Sequence, residues 1–588
     1  MRLASASHHA PQIPLSLSVF ITIAIFVGAS CTQLPDAVEE TDDPLAGFTL
    51  QEGFDISMVA MEPLISDPVD MEIDENGRLF VVEMPGYPLD LGRTGRVKEL
   101  IDTDGNGLPD ESILFADDLV LPTGIMRWKK GFIVTDTPDV LYLEDTNGDG
   151  KADKREVLLT GFALSNPQHN MNNPVYGLDN WIYIANEGYF TTTDYKDLFG
   201  DEGGPVRFAN APNAPQLPQN AGDRNVRFKP DELQLEMCSA STQFGQAFDP
   251  WGHHFETSNF HPLWHEVIAA RYLARNPSLL AVDAAQYMPD QPVNEIFPTS
   301  QSPEHQLLTD VGVITSGCGI NCYTGGLFPS SFNEVLFLCE PVHNLVQANK
   351  IRQVGPTYAA HPLQEGKEFL SSTDTWFRPS NSYIGPDGAL YIIDYHRRII
   401  EHPEWMSDEV NESGQLYEGS DKGRIYRIVP SSAAGMGMNW LQQIDLGSKA
   451  PMEWVAYLNH HNSWWRQTAQ RLLVNQATPD AELTTAIKEM VKKSEGSPGR
   501  IHALWTLEGQ GATDAALLSL ALSDPVAGVR ENAIQLIELH AAEMASFLPE
   551  LLALQEDPDP RVRFQLLCTL GFLEGQEAQA AREALLLK

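Results

Sequence analysis

The sequence predicts two folded parts in series, an all-β six-bladed β-propeller followed by an all-α helical solenoid. Three observations carry this. A turn-then-strand unit recurs six times between residues 74 and 393. Near Asn439 the strand-like alternation stops, and an Ala/Leu periodicity of helical type replaces it. An arginine then returns at near-constant intervals, as Arg466, Arg500, Arg530 and Arg563. A chain of 588 residues also exceeds what one core serves, so two or three domains are expected.

The recurring unit reads Gly-Leu-Asp-Asn-Trp-Ile-Tyr at 177–183, where Gly and Asp bend the chain and Trp181, Ile182 and Tyr183 suit a pleated, half-buried surface. Its relatives lie at 74–82, 128–134 and 385–393, with looser copies at 248–252 and 333–338. Six such units, irregularly spaced, read as propeller blades over residues 47–430. A propeller gathers one loop per blade around a central mouth. His169, in Asn-Pro-Gln-His just upstream of the third unit, belongs to such a loop. A neutral imidazole there can take a proton from a substrate hydroxyl near neutral pH; the alternative is a histidine hydrogen-bonded within its loop.

Ahead of the propeller, residues 1–31 resemble an export signal. Arg2 is followed by a largely apolar run from Ile13 to Val27, then by small residues and Cys31. Cys31 sits where bacterial lipoproteins are lipidated, although Gly28 stands where Leu is usual. An ordinary cleaved signal and an uncleaved anchor are the alternatives. Each places the body outside the cytoplasm, in the periplasm or cell envelope, with membrane attachment in two of the three cases. Residues 32–46 are acidic and polar with two prolines, an expected tether. The formal net charge of −41 argues against a nucleic-acid partner, whose phosphates would be repelled.

Two acidic loops stand in the first third of the propeller. Asp145, Asn147, Asp149, Lys151, Asp153 and Glu156 occupy every ligand position of an EF-hand-type calcium loop, with Gly150 at its sixth position. Asp102, Asp104, Asn106, Leu108 and Asp110 match through the ninth position, but Ile113 stands at the twelfth. Leu108 and Lys151 would contribute backbone carbonyls. Both loops are expected between strands, holding Ca2+ as a brace; metal-free Asp/Gly turns are the alternative. Residues 190–235 and 260–310 read as long insertions, the second partly helical near 262–276, that shape the mouth.

Six cysteines are few, and none lies in Cys-x-x-Cys-His, so haem is not expected in this chain. No Cys/His spacing suggests zinc. Cys318 and Cys339 flank one predicted hairpin and could pair in an oxidising compartment, with Cys322 as another partner. From 440 to 588 the arginine recurrence, each followed by an apolar stripe such as Ala469/Leu472, resembles HEAT-type repeats, which stack helix pairs and dock protein partners. Leu585 to Leu587 is apolar, so the array is expected to continue in a longer chain.

Five motifs then resemble one family. They are Glu83-Met-Pro-Gly-Tyr-Pro88, Asn166-Pro-Gln-His169, Cys339-Glu-Pro-Val-His-Asn344, Ser372-Thr-Asp-Thr-Trp-Phe-Arg-Pro379 and the run from Asp394 to Pro403. In this order they resemble the PVC-type membrane-bound dehydrogenases, whose usual C-terminal cytochrome module is absent here. More distantly the propeller resembles glucose and sorbosone dehydrogenases that use pyrroloquinoline quinone (PQQ). There a His followed eight residues later by Gly-x-Asp is the general base, a spacing kept by His169 and Gly177. The resemblance implies a PQQ-type oxidation of a sugar or other alcohol or aldehyde, with His169 as base and electrons passed to a cytochrome c or another separate acceptor. PQQ carries carboxylates, so Arg378, Asn381, Arg397, Arg398, His343 and Asn344 are candidates to hold it. Two other readings stand beside this one: a metal-dependent propeller lactonase, and a non-catalytic calcium-stabilised binding protein.

Overall fold

Six sheets arranged around an axis make up the first part of the chain, as a computed structural model describes it for residues 43–276, 284–290, 294–300, 312–476 and 480–587. The leader, Cys31 and nearly all of the expected tether lie outside the described residues. Among the described residues no helix is long and apolar enough to cross a membrane.

The innermost strands of blades 1 to 6 are Pro68–Ile73, Pro122–Trp128, Asn172–Tyr176, Gln246–Phe248, Cys318–Cys322 and Pro379–Ile384. Each is followed by one of the recurring turns and then by a second, antiparallel strand. Four of the six turns share a mechanism. Oδ1 of Asp74 accepts the amides of Asn76 and Arg78, and Asp179, Asp249 and Asp387 accept the amide two residues on in the same way. Such an aspartate satisfies the bent backbone locally. Gly77 completes the first turn at φ +77°, where a Cβ would come within 2.0 Å of the Leu441 carbonyl oxygen.

Strands that the sequence cannot assign complete the outer blades. Phe54–Ala60 pairs with Arg424–Pro430 and closes blade 6, while Phe48–Leu50 pairs with Leu370–Ser372 on blade 5. Both expected insertions need correction. Within 190–235, Pro205–Phe208 and Gln216–Gln219 cross over to extend the sheet of blade 2, and Val226–Lys229 belongs to blade 3 itself. Within 260–310, Trp264–Glu266 and Ala285–Tyr287 are outer strands of blade 4, joined through the short helix Ala270–Leu273; part of that stretch lies outside the described residues. Pairing satisfies these polar segments, which hydropathy alone reads as loop. Cys318 and Cys339 face each other across two strands as free thiols, with Cys318 Sγ turned to the carbonyl of Pro379.

After residue 440 the chain is helical, with nine α-helices among the described residues. The recurring arginines have one job. Arg466, Arg500, Arg530 and Arg563 each donate to the carbonyl six residues earlier, pinning the loop that enters their own helix. Arg500 and Arg530 also pair with Asp524 and Asp557 of the following unit. This repeating ladder makes the region a stacked helical array. Leu45–Lys588 is one compact unit, and the array lies against the recurring turns. Helix Ser463–Val474 reaches Leu178 and Asn180 through Gln470, Gly528 packs on the Trp251 ring, and Asn532 donates to Trp251.

Candidate functional site

The end of the propeller axis opposite those turns opens into a cavity of about 370 Å³. Residues from all five family-like motifs or their immediate neighbours converge on it: Met84 and Tyr87, Gln168 and His169, Pro341, Ser380, Tyr395 and Glu401. Asn166 accepts the amide of Gln168 and so caps the short helix Pro167–His169, which turns the imidazole inward. His169 is 9% exposed and its ring stacks on Phe190 at 4.5 Å.

Glu187 completes the arrangement. Its Oε2 lies 2.5 Å from His169 Nδ1. A carboxylate at Nδ1 takes that nitrogen's proton in a hydrogen bond and leaves Nε2 as the lone-pair nitrogen. Among the described residues nothing is bonded to Nε2. Gln168 donates to both the Tyr87 hydroxyl and Glu401 Oε1, at 3.0 Å each. Burial pushes the Glu401 carboxyl up to about 7, against the pull of the His402 amide and Gln168. The aromatic rings of Phe190, Phe244, Phe260 and Trp405 complete the wall.

Glu401 falls in the last of the five motifs, whereas Glu187 lies outside all of them. Hairpin symmetry was the signal available for Glu187: Asn172 pairs with Ala185 about the turn at 177–180, which brings position 187 beside 169.

The cofactor candidates are elsewhere and are engaged. Arg378 is buried and donates to the carbonyls of Pro341, Val342, Arg397 and Arg398; burial lowers its guanidinium to about 10. Arg397 is fully buried against Asp67 at 2.8 Å. Arg398 pairs with Glu418 at the surface. Asn381 donates to Asp70 and Val69, and Asn344 to the carbonyls of Thr375 and Phe377. His343 is enclosed against Glu340. These side chains hold loop corners in place, because a buried donor must find an acceptor and main-chain carbonyls were the ones in reach. They correct the expectation of a cationic pocket.

PQQ therefore meets an ill-matched wall. No Lys or Arg lines the cavity, and every Lys and Arg of the chain except Arg2 and Lys588 is among the described residues. Two carboxylates, Glu187 and Glu401, face it instead. Carboxylates of a quinone placed here would find no opposite charge, so the residues present do not fit that group.

Of the two calcium-type loops, 102–110 joins strands Gly95–Ile101 and Glu111–Leu119, and 145–153 joins Asp139–Glu144 and Lys154–Thr160. Asp102, Asp104 and Asp110 bring carboxylate oxygens within 4.8 Å of one another, so this loop can offer a cation three hard ligands. The four carboxylates of the second loop form no such group among the described residues. Glu156 stands out in its strand, where Asn210 donates to it.

Together these features define a propeller with an axial cavity and a carboxylate-oriented histidine. The chain belongs to the DUF7133 family, a domain of unknown function, whose match spans residues 40–432. No curated protein gives a significant match. Among solved structures, the soluble aldose sugar dehydrogenase of Escherichia coli in its apo form is 12% identical, covers 64% of this chain and 99% of its own, and has a TM-score of 0.32. The holo PQQ domain of pyranose dehydrogenase from Coprinopsis cinerea is 11% identical over 66% of this chain and 98% of its own, with a TM-score of 0.36. The N-terminal domain of Nup159 stands at 8%, 65%, 97% and 0.30 in the same terms. Likenesses at this level carry no argument about chemistry.

Proposed function

We propose that the axial cavity binds one neutral sugar or other polyol and that His169 accepts a proton from one of its hydroxyl groups. The observation that carries this reading is the His169–Glu187 pair, with Nε2 left free beside the cavity. Aromatic walls suit the C–H faces of a sugar ring, and Gln168, Asn259 and Ser316 offer hydrogen bonds to hydroxyls. The volume is at the small end for ligand pockets and suits a single small ligand. Oxidation of that hydroxyl, as the dehydrogenase resemblance implies, would give its O–H proton to His169 and the hydride of its C–H to a two-electron acceptor, here the dye of the assay below; the wall favours a neutral or cationic acceptor over one with carboxylates. A lactonase reading loses ground, since no group of three metal-ligating side chains lines the cavity among the described residues.

Export, attachment through Cys31, a calcium brace on 102–110 and a protein partner on the HEAT-like array belong to the same proposal, supported by the leader-like, acidic and repeat patterns. The test is calorimetry of neutral sugars against their aldonates, with dye reduction across the same panel, with and without PQQ and Ca2+. Binding of neutral sugars, and sugar-dependent turnover without PQQ that is lost in His169→Ala, is expected. Turnover that requires PQQ and is lost in His169→Ala would overturn the charge argument. No binding of any sugar would overturn the whole reading.

A further inference from the structure

Away from the cavity, blade 4 holds a second cluster. His254, Glu256 and Glu266 come from adjacent strands His254–Glu256 and Trp264–Glu266, and each brings a ligand atom within 4.8 Å of the others. All three are enclosed, with side-chain exposures of 6%, 1% and 8%.

The surrounding hydrogen bonds fix which atoms face inward. Gln246 Nε2 donates to the Asn173 carbonyl at 2.7 Å, so its Oε1 must be the atom 2.9 Å from His254 Nε2. That nitrogen therefore carries the proton, and Nδ1 points into the cluster, 2.8 Å from Glu266 Oε2 and 3.7 Å from Glu256 Oε1. The carboxylates are held likewise. Ser239 donates its amide to Glu266 Oε1. Asn225, oriented by the amides of Asn186 and Thr242 on its Oδ1, donates Nδ2 to Glu256 Oε1 at 2.7 Å. Glu256 Oε2 is buried and has no partner. Phe248 stacks on the imidazole at 4.6 Å and locks its plane.

A proton on Nδ1 would satisfy Glu266 but would still leave Glu256 Oε2 facing no donor. A divalent cation satisfies all three groups and neutralises two buried carboxylates at once. The arrangement also has the usual outer support of a metal site: the ligating ring donates its other N–H to a fixed carbonyl oxygen, and each carboxylate is steered by an amide.

We infer that His254, Glu256 and Glu266 form a buried binding site for a transition-metal dication such as Zn2+ or Mn2+. One imidazole nitrogen with two carboxylates selects such ions over Ca2+, which prefers oxygen ligands alone. None of the three lines either channel cavity, so the ion ties strands of blade 4 and does not meet a substrate.

The experiment strips the full chain with chelator and re-adds Zn2+, Mn2+ or Co2+, with metal content, thermal unfolding and the visible Co2+ spectrum as readouts. The Asp102→Asn/Asp104→Asn double variant serves as the background, to silence the acidic loop. About one ion per chain, a higher Tm and an imidazole-type Co2+ spectrum are expected. Glu256→Gln loses the ion and the Tm response, while its metal-free form unfolds no lower than stripped wild type, since a buried carboxylate has become an amide. Gln246→Leu, which frees the ring, weakens binding by about 10–100-fold. Equal metal content in wild type and Glu256→Gln, or no retained metal in wild type, would overturn the site.

Discussion

The two ends of the propeller axis are made from the same six strands and have opposite fates. At the end bearing the recurring turns, a cavity of about 200 Å³ is roofed by helix Ser463–Val474. Trp464 donates to the Tyr383 hydroxyl and the Ile73 carbonyl, and Arg471 joins Arg127 on Glu75. Those two arginines hold the Glu75 carboxyl down to about 2 despite its burial. At the other end, His169 Nε2 has no bonded partner among the described residues, and Phe190 and Phe260 stay 39% and 40% exposed. At the closed end the docked helix takes up Tyr383 and Glu75, whereas at the open end no described element of the array covers His169. A free imidazole nitrogen beside exposed aromatic faces is what the proposed sugar site rests on.

Mutations at the two ends should therefore fail differently. His169→Ala is expected to cost about 10²–10⁴-fold in kcat on a sugar that turns over, with unfolding midpoints unmoved. Equal loss of stability would make His169 a packing residue. At the closed end, Trp464→Ala should cost about 3–5 kcal/mol in denaturant unfolding while turnover per folded molecule holds.

Protonation separates the ends more gently. Burial raises Glu72, at the closed end, to about 8 and Glu401, at the open end, to about 7. Folding keeps such carboxyls protonated after the unfolded chain has released the proton. Each therefore makes stability fall as pH climbs from near 4.5 to its folded value, by ~1–3 kcal/mol, with little further change above it. Glu72→Gln should flatten that slope up to about pH 8 without altering sugar binding. Glu401→Gln should flatten it only to about pH 7. Chemical unfolding between pH 4 and 9, paired with calorimetry, reads both.

Phe190→Ala should weaken a sugar about tenfold, the worth of one lost stacking face, with little change in Tm. Smallest of all, Arg398→Ala breaks a half-exposed pair with Glu418 and should cost under about 1 kcal/mol, with unchanged KM. A raised KM would return that residue to the ligand.

Much of the fold was legible in the residues. The Asp/Gly turns announce hairpins because their chemistry is local, and the spaced arginines announce stacked helices because each serves a carbonyl six residues away. His169 could be placed near a mouth by its position ahead of a turn. Arg378 and Arg397 could not be judged that way. A guanidinium looks alike in sequence whether it awaits an anion or is spent on the carbonyls of Pro341 and Val342. Nor does the loop pattern tell where Glu156 goes: it lies in the strand after its loop, where Asn210 donates to it.

By itself, then, the sequence determined what depends on neighbours within a turn or a repeat: the number of blades, the change to helices and the histidine at the mouth. Only the tertiary structure decided which strand closes each blade, which carboxylate orients His169, which arginines are used up, and that His254, Glu256 and Glu266 meet. Those outcomes depend on groups brought together through sheet register and helix docking. Burial gives an unpaired charge or donor its energetic cost, and burial exists only once the chain has folded.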